Sequence, residues 1–305
     1  MNALVTGGAG FIGHHLTRAL LDRGDAVTVI DDLSTGDRTR LDGREAFIEG
    51  DIRERELLGR LFSESSFDFV FHTAARARIQ PSIKDPLTTH DVNVTGTLNL
   101  LFAASKGGVK RFVYSSSSSV YGPENAPPFA ETMTASPGNP YAMHKWMGEE
   151  YCRLFSSVYG LDTACLRYFN VYGPGMIDEG AYRTVISIFL GQRDKGEKIT
   201  VVGDGLQRRD FTHVTDIVAG NLAAADHDGP LKGEPFNLGY GSSVSVREVA
   251  EAVLASAGKT WAEGVESIPE RPFEVPETRA DHTKAKTVLG WSPRMAFDKG
   301  LGELL

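Results

Sequence analysis

A tyrosine and a lysine four residues apart, Tyr141 and Lys145, form the pair of side chains in this sequence best suited to proton transfer. The sequence predicts a helix over 141–159, and residues at this spacing lie on one face of a helix. Because a nearby cation favours the phenolate form, we expect Lys145 to lower the pKa of Tyr141 from about 10 towards the working pH. The same pair also occurs on many solvated helix faces, so it does not identify a site by itself.

Five consecutive serines, residues 115–119, follow directly after a predicted strand at 111–114. Runs of serine are usually flexible linkers. This run, however, stands at the carboxyl end of a strand, which is where parallel sheets carry their binding sites. A serine hydroxyl could therefore meet the phenol of Tyr141 at that edge of the sheet.

A glycine-rich turn at residues 7–13 follows a predicted strand at 3–5 and opens a predicted helix. Its glycines permit a tight turn, and the helix N-terminus attracts the charge of a pyrophosphate. The next predicted strand ends at Ile30, and Asp31 follows where a carboxylate would accept hydrogen bonds from an adenosine ribose. Since that carboxylate repels a 2′-phosphate, the predicted cofactor is NAD rather than NADP. A hydroxyl, a phenol and a lysine beside a nicotinamide could then move a proton and a hydride.

The composition of the chain excludes several functional classes. With 305 residues, 41% of them hydrophobic and 24% charged, it is ordinary globular material. Its formal net charge of −8 argues against nucleic acid as a partner. No apolar stretch has the length of a membrane span, and residues 1–6 lack the features of a secretory signal, so we expect a cytoplasmic protein. Cys152 and Cys165 have no metal-ligand spacing and are predicted to be buried thiols, and no metal site is predicted.

The elements that must position these residues alternate between strands and helices. This rhythm predicts a doubly wound α/β fold whose parallel sheet is covered on both faces. After residue 170 the sequence changes to glycine- and proline-containing loops with separate helical pieces, which indicates a smaller mixed lobe. We predict a Rossmann domain over 1–170 that also includes 211–241, and a substrate lobe over 171–305, mainly 171–210 and 242–305. The predicted segments include helices at 86–104 and 246–256, the latter opened by a capping box of Ser245 and Glu248, and strands at 26–30, 67–71 and 163–168.

Nine motifs extend in order over nearly the whole chain, at 6–13, 31–36, 50–52, 72–75, 93–97, 115–122, 141–145, 167–174 and 203–216. In these motifs the chain resembles the extended short-chain dehydrogenase/reductases, and among them the UDP-glucose 4-epimerase group of the NAD-dependent epimerase/dehydratase family. One residue differs from the usual pattern, because Thr73 stands where an apolar side chain is commoner.

The resemblance assigns roles to individual residues. It implies that Ser117, Tyr141 and Lys145 are catalytic, and that Asp51 and Ile52 contact the adenine. The full set that it implies for the cofactor is Gly7, Gly10, Phe11, Ile12, Gly13, Asp31, Asp32, Ser34, Asp51, Ile52, His72, Ala74, Ala75, Asn93, Ser115, Tyr141, Lys145 and Tyr168. The set that it implies for the substrate is Ser117, Ser118, Asn170 near the sugar-diphosphate, Arg209 and Arg271 on phosphate charge, Glu274 and Thr278.

The resemblance also implies a reaction. Tyr141 would take the proton of the sugar 4′-hydroxyl while the 4′-hydride passes to NAD, and the 4-keto sugar would turn over and receive the hydride on its other face. The enzyme would be an isomerase that keeps NAD bound and acts on UDP-glucose or UDP-galactose. Family members commonly form homodimers through the two long helices, here at 86–104 and 141–159, whose outward faces should then be apolar.

Several alternatives are weighed against this interpretation. Sugar 4,6-dehydratases carry an acidic pair at the positions of Ser118 and Ser119, so elimination lacks its acid and base here. Uronate epimerases usually have threonine in place of Asn170, which disfavours a carboxylated sugar, and Asp31 disfavours a 4-keto reductase that uses NADPH. A cofactor-sensing or structural member of the fold would lose one of the three catalytic side chains, all of which are present. A UDP-uronate or UDP-pentose 4-epimerase and a nucleotide-sugar 4-keto reductase stay open.

The width of the sugar specificity depends on position 278. In relatives, the residue seven positions after the phosphate-binding arginine closes the pocket around the sugar 2′-substituent, and counting from Arg271 this position is Thr278. A small residue there leaves room for an N-acetyl group, and residues 180–182 with 185–186 also resemble epimerases that accept N-acetylated sugars. We therefore expect activity on UDP-N-acetylhexosamines as well. The alternative is that Thr278 only caps a turn.

Overall fold

The computed structural model describes residues 1–176, 183–269 and 275–305. Its strands are β1 (Asn2–Thr6), β2 (Ala26–Asp31), β3 (Ala46–Glu49), β4 (Phe69–His72), β5 (Arg111–Ser117), β6 (Asp162–Tyr168), β7 (Val171–Tyr172), β8 (Ile199–Val202), β9 (Arg208–Arg209), β10 (Thr212–His213), β11 (Glu234–Leu238), β12 (Val244–Ser245) and β13 (Val265–Ile268). Its helices are α1 (Phe11–Asp22), α2 (Arg55–Glu64), α3 (Ile79–Lys84), α4 (Pro86–His90), α5 (Thr97–Lys106), α6 (Pro140–Val158), α7 (Val185–Asp194), α8 (Val214–Asp226), α9 (Val246–Ser256), α10 (Trp261–Gly264), α11 (Thr283–Leu289) and α12 (Phe297–Gly302). In these described ranges, no helix is long and apolar enough to cross a membrane.

A parallel sheet forms the centre of the fold. Among the described residues it has seven strands, in the order β3-β2-β1-β4-β5-β6-β11. Its central strands are apolar almost throughout, because helices cover both faces, and residues such as Leu4, Val70 and Phe71 are fully buried. The strand order reverses between β1 and β4, which opens a crevice at the carboxyl ends of the strands. The predicted doubly wound α/β fold is therefore confirmed.

The helical stretch predicted at 86–104 contains an irregular turn. Helices α4 and α5 are joined by a π-helical segment, Asp91–Gly96. Thr97, the first residue of α5, donates a hydrogen bond from its hydroxyl to the carbonyl of Asn93 at 2.7 Å. The wider turn carries the Asn93 side chain towards the loop after β4, and π-helical turns often occur at functional sites.

Helix α6 is held against the sheet by a buried ion pair. Glu149 accepts hydrogen bonds from Arg167 of β6 at 2.9 and 2.6 Å and from the Ser116 hydroxyl of β5. Glu149 and Arg167 are only 1% and 4% exposed. Tyr141, Lys145 and Glu149 recur at the helical spacing of about four residues, so they share the face of α6 that packs on the sheet.

The second lobe has a core of its own. It packs α7, β8 and α9 around buried residues such as Phe189, Val201 and Val253. Helix α9 begins and ends as predicted, with the Ser245 and Glu248 capping box. The division of the chain at residue 170 stays a prediction. Strand β11 and helix α8, both within the predicted extension 211–241 of the Rossmann domain, pack with the sheet and are consistent with it. Trp291, however, was assigned to the lobe and packs on the core of the sheet.

Glu149→Gln should destabilise the protein, because it leaves Arg167 charged and buried without its counter-ion. Removing one partner of a buried ion pair costs about 3–5 kcal/mol of the free energy of unfolding, which urea denaturation followed by circular dichroism would measure. Glu150→Gln is the matched control on the same helix, since its partner Arg153 is half exposed and such pairs contribute about 0–1 kcal/mol. Equal losses in the two variants would contradict the anchoring role of Glu149.

Candidate active site

A groove lies at the carboxyl ends of β1, β2 and β4. Its walls are the glycine turn before α1, the ends of β2 and β3, the loop after β4, and Thr184 at the start of α7. The predicted cofactor residues that line it are Gly7, Gly10, Phe11, Ile12, Gly13, Asp31, Asp32, Ser34, Asp51, Ile52, Ala74 and Ala75. The structure therefore brings together the greater part of the predicted cofactor set.

The glycine turn brings two backbone segments into close contact. A Cβ atom on Gly13 would lie 2.0 Å from the carbonyl oxygen of Gly7, and one on Gly7 would lie 2.7 Å from the backbone of Ala74. Gly7 also has a φ of +70°, which favours glycine. The N-terminus of α1 therefore opens directly onto the groove, where its N–H groups and dipole suit a pyrophosphate.

Backbone groups orient Asp31 at the end of β2. Its two carboxylate oxygens accept hydrogen bonds from the N–H groups of Ala9 at 3.0 Å and Leu33 at 2.9 Å. An ionised carboxylate has about four acceptor positions, so both oxygens can also accept hydrogen bonds from ligand hydroxyls. The anion-binding turn and this hydroxyl acceptor together fit NAD, which when bound takes up and returns a hydride.

His72 does not line the groove. It is 2% exposed, and its ring nitrogens lie 2.7 and 2.8 Å from the hydroxyls of Thr6 and Thr97. Burial lowers its pKa to about 3, so the ring is neutral. The structure thus gives His72 a role in joining β1, β4 and α5, and its predicted contact with the cofactor stays a prediction.

Three further residues of the predicted cofactor set support the groove from behind. The Asn93 side-chain amide makes two hydrogen bonds to the backbone of Arg76. It accepts one from the Arg76 N–H at 2.8 Å and donates one to the Arg76 carbonyl at 3.0 Å. The Ser115 hydroxyl lies 2.9 Å from the Tyr168 hydroxyl, and both residues are buried. None of Asn93, Ser115 and Tyr168 contributes to the groove lining. Their contacts therefore fix the loop after β4 and the ends of β5 and β6.

The predicted catalytic residues meet where β5 ends against α6. The Ser117 side chain is within hydrogen-bonding reach of the Tyr141 phenol. Lys145 donates a hydrogen bond from Nζ to the carbonyl of Ser115 at 2.7 Å, and Nζ lies 5.9 Å from the centre of the Tyr141 ring. Ser118 begins the short 3₁₀ helix Ser118–Tyr121 directly after Ser117. The arrangement places a hydroxyl, a phenol and an ammonium group together at one edge of the sheet.

The electrostatics of Tyr141 differ from the prediction. Burial raises the pKa of Tyr141 above its usual value, and the groups that act in the opposite direction are Ser117, by hydrogen bonding, and Arg78, by its charge. Burial also lowers the pKa of Lys145 to about 8. The expected decrease in the pKa of Tyr141 is therefore not found for the chain by itself, because the cost of burying the phenolate outweighs the stabilisation by Ser117 and Arg78.

The predicted substrate residues Asn170 and Thr278 lie in contact. The Asn170 amide donates hydrogen bonds to the carbonyl of Asp210 at 2.9 Å and to the Thr278 hydroxyl at 3.1 Å. An amide nitrogen has two hydrogens, so both are used within the protein. In this arrangement Asn170 can accept a hydrogen bond from a sugar hydroxyl but cannot donate one to the predicted diphosphate.

Arg209 lies close to the same place. It donates hydrogen bonds to the carbonyls of Arg208 and Val275, both at 2.8 Å, which ties β9 to the segment that leads to Thr278. Arg271, Glu274 and the stretch 180–182 lie outside the described residues. The structure therefore places three of the predicted substrate residues, Asn170, Arg209 and Thr278, around one short stretch of chain.

Sequence reasoning missed the positive side chains of the groove. Arg76 and Arg78, in the loop after β4, both line it. The same loop contains Thr73, whose hydroxyl donates a hydrogen bond to the carbonyl of Thr6 at 2.7 Å. The signal was present, since two arginines follow a strand end directly in an acidic chain, but it fell outside the motifs.

Comparison with known proteins gives a consistent result. A sequence model of the NAD dependent epimerase/dehydratase family matches residues 3–239. The UDP-glucose 4-epimerase of Mycolicibacterium smegmatis is 36% identical over 99% of this chain and 97% of its own length. A UDP-glucuronate 4-epimerase of Thermodesulfobacterium geofontis is 35% identical over 98% of this chain and 93% of its own.

Solved structures show the same fold. The UDP-glucose 4-epimerase of Thermotoga maritima, determined with UDP-glucose, has a TM-score of 0.94 at 37% identity and covers 99% of this chain and 96% of its own. The UDP-N-acetylglucosamine 4-epimerase of Methanobrevibacter ruminantium M1, in complex with UDP-N-acetylmuramic acid, has a TM-score of 0.92 at 32% identity, with coverage of 99% and 96%. These relatives, which match this chain over nearly its whole length, are isomerases. The chain belongs to the NAD-dependent epimerase/dehydratase family, and NAD is its cofactor.

Proposed function

We propose that this enzyme is a nucleotide-sugar 4-epimerase that inverts C4 of UDP-glucose and UDP-galactose, and also of UDP-N-acetylhexosamines. The observation that carries the proposal is the meeting of Ser117, Tyr141 and Lys145 at the end of β5, beside the dinucleotide groove. The family includes other activities on nucleotide sugars, and Ser118 and Ser119 lack the acid and base that elimination requires. The cytoplasm stays the predicted location.

The three side chains divide the chemistry between them. Tyr141 accepts the proton of the sugar 4′-hydroxyl as C4 is oxidised to a ketone, and returns it when the other face is reduced. The Ser117 hydroxyl bridges the phenol and the sugar oxygen, which holds them at hydrogen-bonding distance. Lys145 has three N–H groups and uses one on Ser115, so two remain for the nicotinamide ribose.

The relevant test is incubation of the protein with UDP-glucose, UDP-N-acetylglucosamine, UDP-glucuronate and UDP-xylose, with separation of the products.

Tyr141→Phe should reduce the epimerisation rate at least about a hundredfold, the usual contribution of a positioned proton-transfer group. Because the phenol does not line the groove, the variant should still bind NAD, which absorbance and fluorescence of the purified protein would show. Tyr159→Phe, at the exposed end of the same helix, is the control and should keep the wild-type rate. Near-normal turnover by Tyr141→Phe would refute the assignment.

The proposal of broad sugar specificity rests on Thr278. Its hydroxyl accepts hydrogen bonds from the Asn170 amide at 3.1 Å and from the N–H of Asp210 at 3.3 Å. Thr278 thus contacts a residue proposed to bind the sugar, which supports a position at the pocket wall and weighs against a simple turn cap. A larger side chain there would have two effects, since it would fill space and also remove these hydrogen bonds.

Two substitutions separate these effects. Thr278→Val removes the hydroxyl at nearly constant side-chain volume. It should reduce kcat/KM for UDP-glucose and for UDP-N-acetylglucosamine to a similar extent. Thr278→Tyr also fills the space for the N-acetyl group, so the ratio of kcat/KM for the N-acetylated sugar to that for UDP-glucose should fall at least about tenfold. The gate interpretation fails if the ratio is the same in both variants, or if the wild type does not turn over UDP-N-acetylglucosamine.

The proposed homodimer rests on the outer faces of α4, α5 and α6. These neighbouring helices carry exposed apolar side chains at Leu87, Phe102, Met143, Leu154 and Val158, of which Leu87 is 82% exposed and Val158 63%. Large apolar side chains exposed together on neighbouring helices favour an interaction site. Its position on the two long helices predicted to pair supports a second copy of the chain as the partner.

Leu154→Glu combined with Val158→Glu should therefore shift the protein from dimer to monomer, because it buries like charges across a two-fold axis. Light scattering coupled to gel filtration at micromolar concentration measures the mass. Val288→Glu is the control, since Val288 is an exposed apolar residue on α11, away from this surface. A monomeric wild type, or a dimer that survives the double substitution, would count against the interface.

A further inference from the structure

Arg78 occupies an unusual place between the groove and the catalytic helix. It immediately precedes α3 and lines the groove together with the glycine turn. Its φ is +100°, a backbone conformation that costs a non-glycine residue about 1–3 kcal/mol and tends to persist at functional sites. No motif recognised in the sequence includes this residue. The strain calls for contacts that hold the loop in place.

Contacts on both sides of Arg78 supply that constraint. On one side, the Asn93 amide makes two hydrogen bonds to the backbone of Arg76, at 2.8 and 3.0 Å. On the other side, the Ser82 hydroxyl of α3 accepts a hydrogen bond from the N–H of Tyr141 at 3.1 Å. The loop that carries Arg78 is thus joined to the first turn of α6, the turn that carries the phenol.

We infer that Arg78 is a further residue of the catalytic centre, whose guanidinium stabilises the negative charge of Tyr141 during proton transfer. The inference rests on the proposed role of Tyr141 as the acid and base. Arg78 lines the groove and opens α3, and α3 is hydrogen-bonded to the first turn of α6 through Ser82 and Tyr141. This placement brings the charge of Arg78 close enough to act on the phenol of Tyr141. Burial lowers the pKa of Arg78 from its usual value, but a guanidinium keeps its proton under all conditions relevant to proteins, so its charge is fixed.

The other groups around the phenol do not provide a fixed charge. From β5, Ser117 offers a neutral hydroxyl. Tyr114, also on β5, stays neutral because burial raises the pKa of its phenol well above the usual value. On α6 itself, burial lowers the pKa of His144 to about 4 and that of Lys145 to about 8. His144 lies against His90 of α4, whereas Lys84, the last residue of α3, and Asp85 after it are exposed to solvent.

The direction of the pH effect follows from the sign of the charge. A cation near Tyr141 favours the phenolate, so it lowers the pKa of the phenol relative to the same site without the cation. In the oxidative step Tyr141 must be deprotonated, and kcat therefore rises with pH through the pKa of Tyr141. Removing the charge of Arg78 should move this acidic limb of the kcat profile to higher pH.

The test compares Arg78→Gln with Arg78→Lys, using the protein with its bound NAD. Arg78→Gln should shift the acidic limb upward by about one unit or more, which is the size expected for a single close charge. Arg78→Lys keeps the charge, so its acidic limb should lie close to the wild-type position. Lys84→Gln is the matched control from the same helix, because Lys84 ends α3 with its side chain exposed to solvent and does not line the groove, and it should leave the position of the limb unchanged.

A second readout does not depend on turnover. The tyrosinate absorbance of each protein is titrated with and without the additional substitution Tyr141→Phe, and the difference isolates the phenol of interest. In the Arg78→Gln background this difference should appear at higher pH than in the wild-type background. An unchanged titration overturns the inference, and if NAD binding is lost at the same time, Arg78 is a cofactor contact only. The proposed function would survive that result as long as the wild type epimerises and Tyr141→Phe does not.

Discussion

The buried pair of Glu149 and Arg167 is the interaction on which the rest of the site depends. It joins α6 to β6, and the Ser116 hydroxyl joins the same carboxylate to β5. Gly148 permits the close contact, because a Cβ atom there would lie 2.2 Å from the Tyr114 hydroxyl. The pair fixes the rotation and the axial position of α6. Lys145 and Tyr141, one and two turns before Glu149, therefore reach the ends of the strands. Ion pairs of this kind contribute little net stability compared with apolar packing, so its main effect here is positional.

The fold and the proximity of Ser117, Tyr141 and Lys145 could be predicted because their signals are local. Each strand and helix of the α/β fold is indicated by a few consecutive residues, and so are the capping box of α9 and the glycine turn. The spacing of Tyr141 and Lys145 defines a helix face, and the serine run marks a strand end, so a parallel sheet brings them together without further information. A helix pattern does not reveal a π-helical turn, which is why 86–104 was predicted as one regular helix.

The remaining parts of the site depend on partners that are distant in sequence. His72 and Asn93 occur in motifs of cofactor-binding proteins, but their polar atoms are used by Thr6, Thr97 and the backbone of Arg76. Asp210 is an equivalent case in the second lobe: its buried carboxylate accepts N–H groups from 240, 241 and 280, and burial raises its pKa to about 6. Which polar residue faces a ligand and which one supports the backbone is decided by such long-range contacts, which a single sequence does not contain.

The burial that creates the site also sets its electrostatic problem. Removing Tyr141 and Lys145 from water raises the pKa of the phenol and lowers that of the ammonium group, so both changes favour the neutral forms. A base that must carry a negative charge in this environment therefore needs a cation that burial cannot neutralise. With a pKa of about 8, Lys145 loses its charge as the pH rises above neutrality, whereas an arginine keeps its charge. In this acidic chain, with a net charge of −8, Arg78 is a cation of that kind at the groove, and its φ of +100° shows that the loop holds it there against backbone strain.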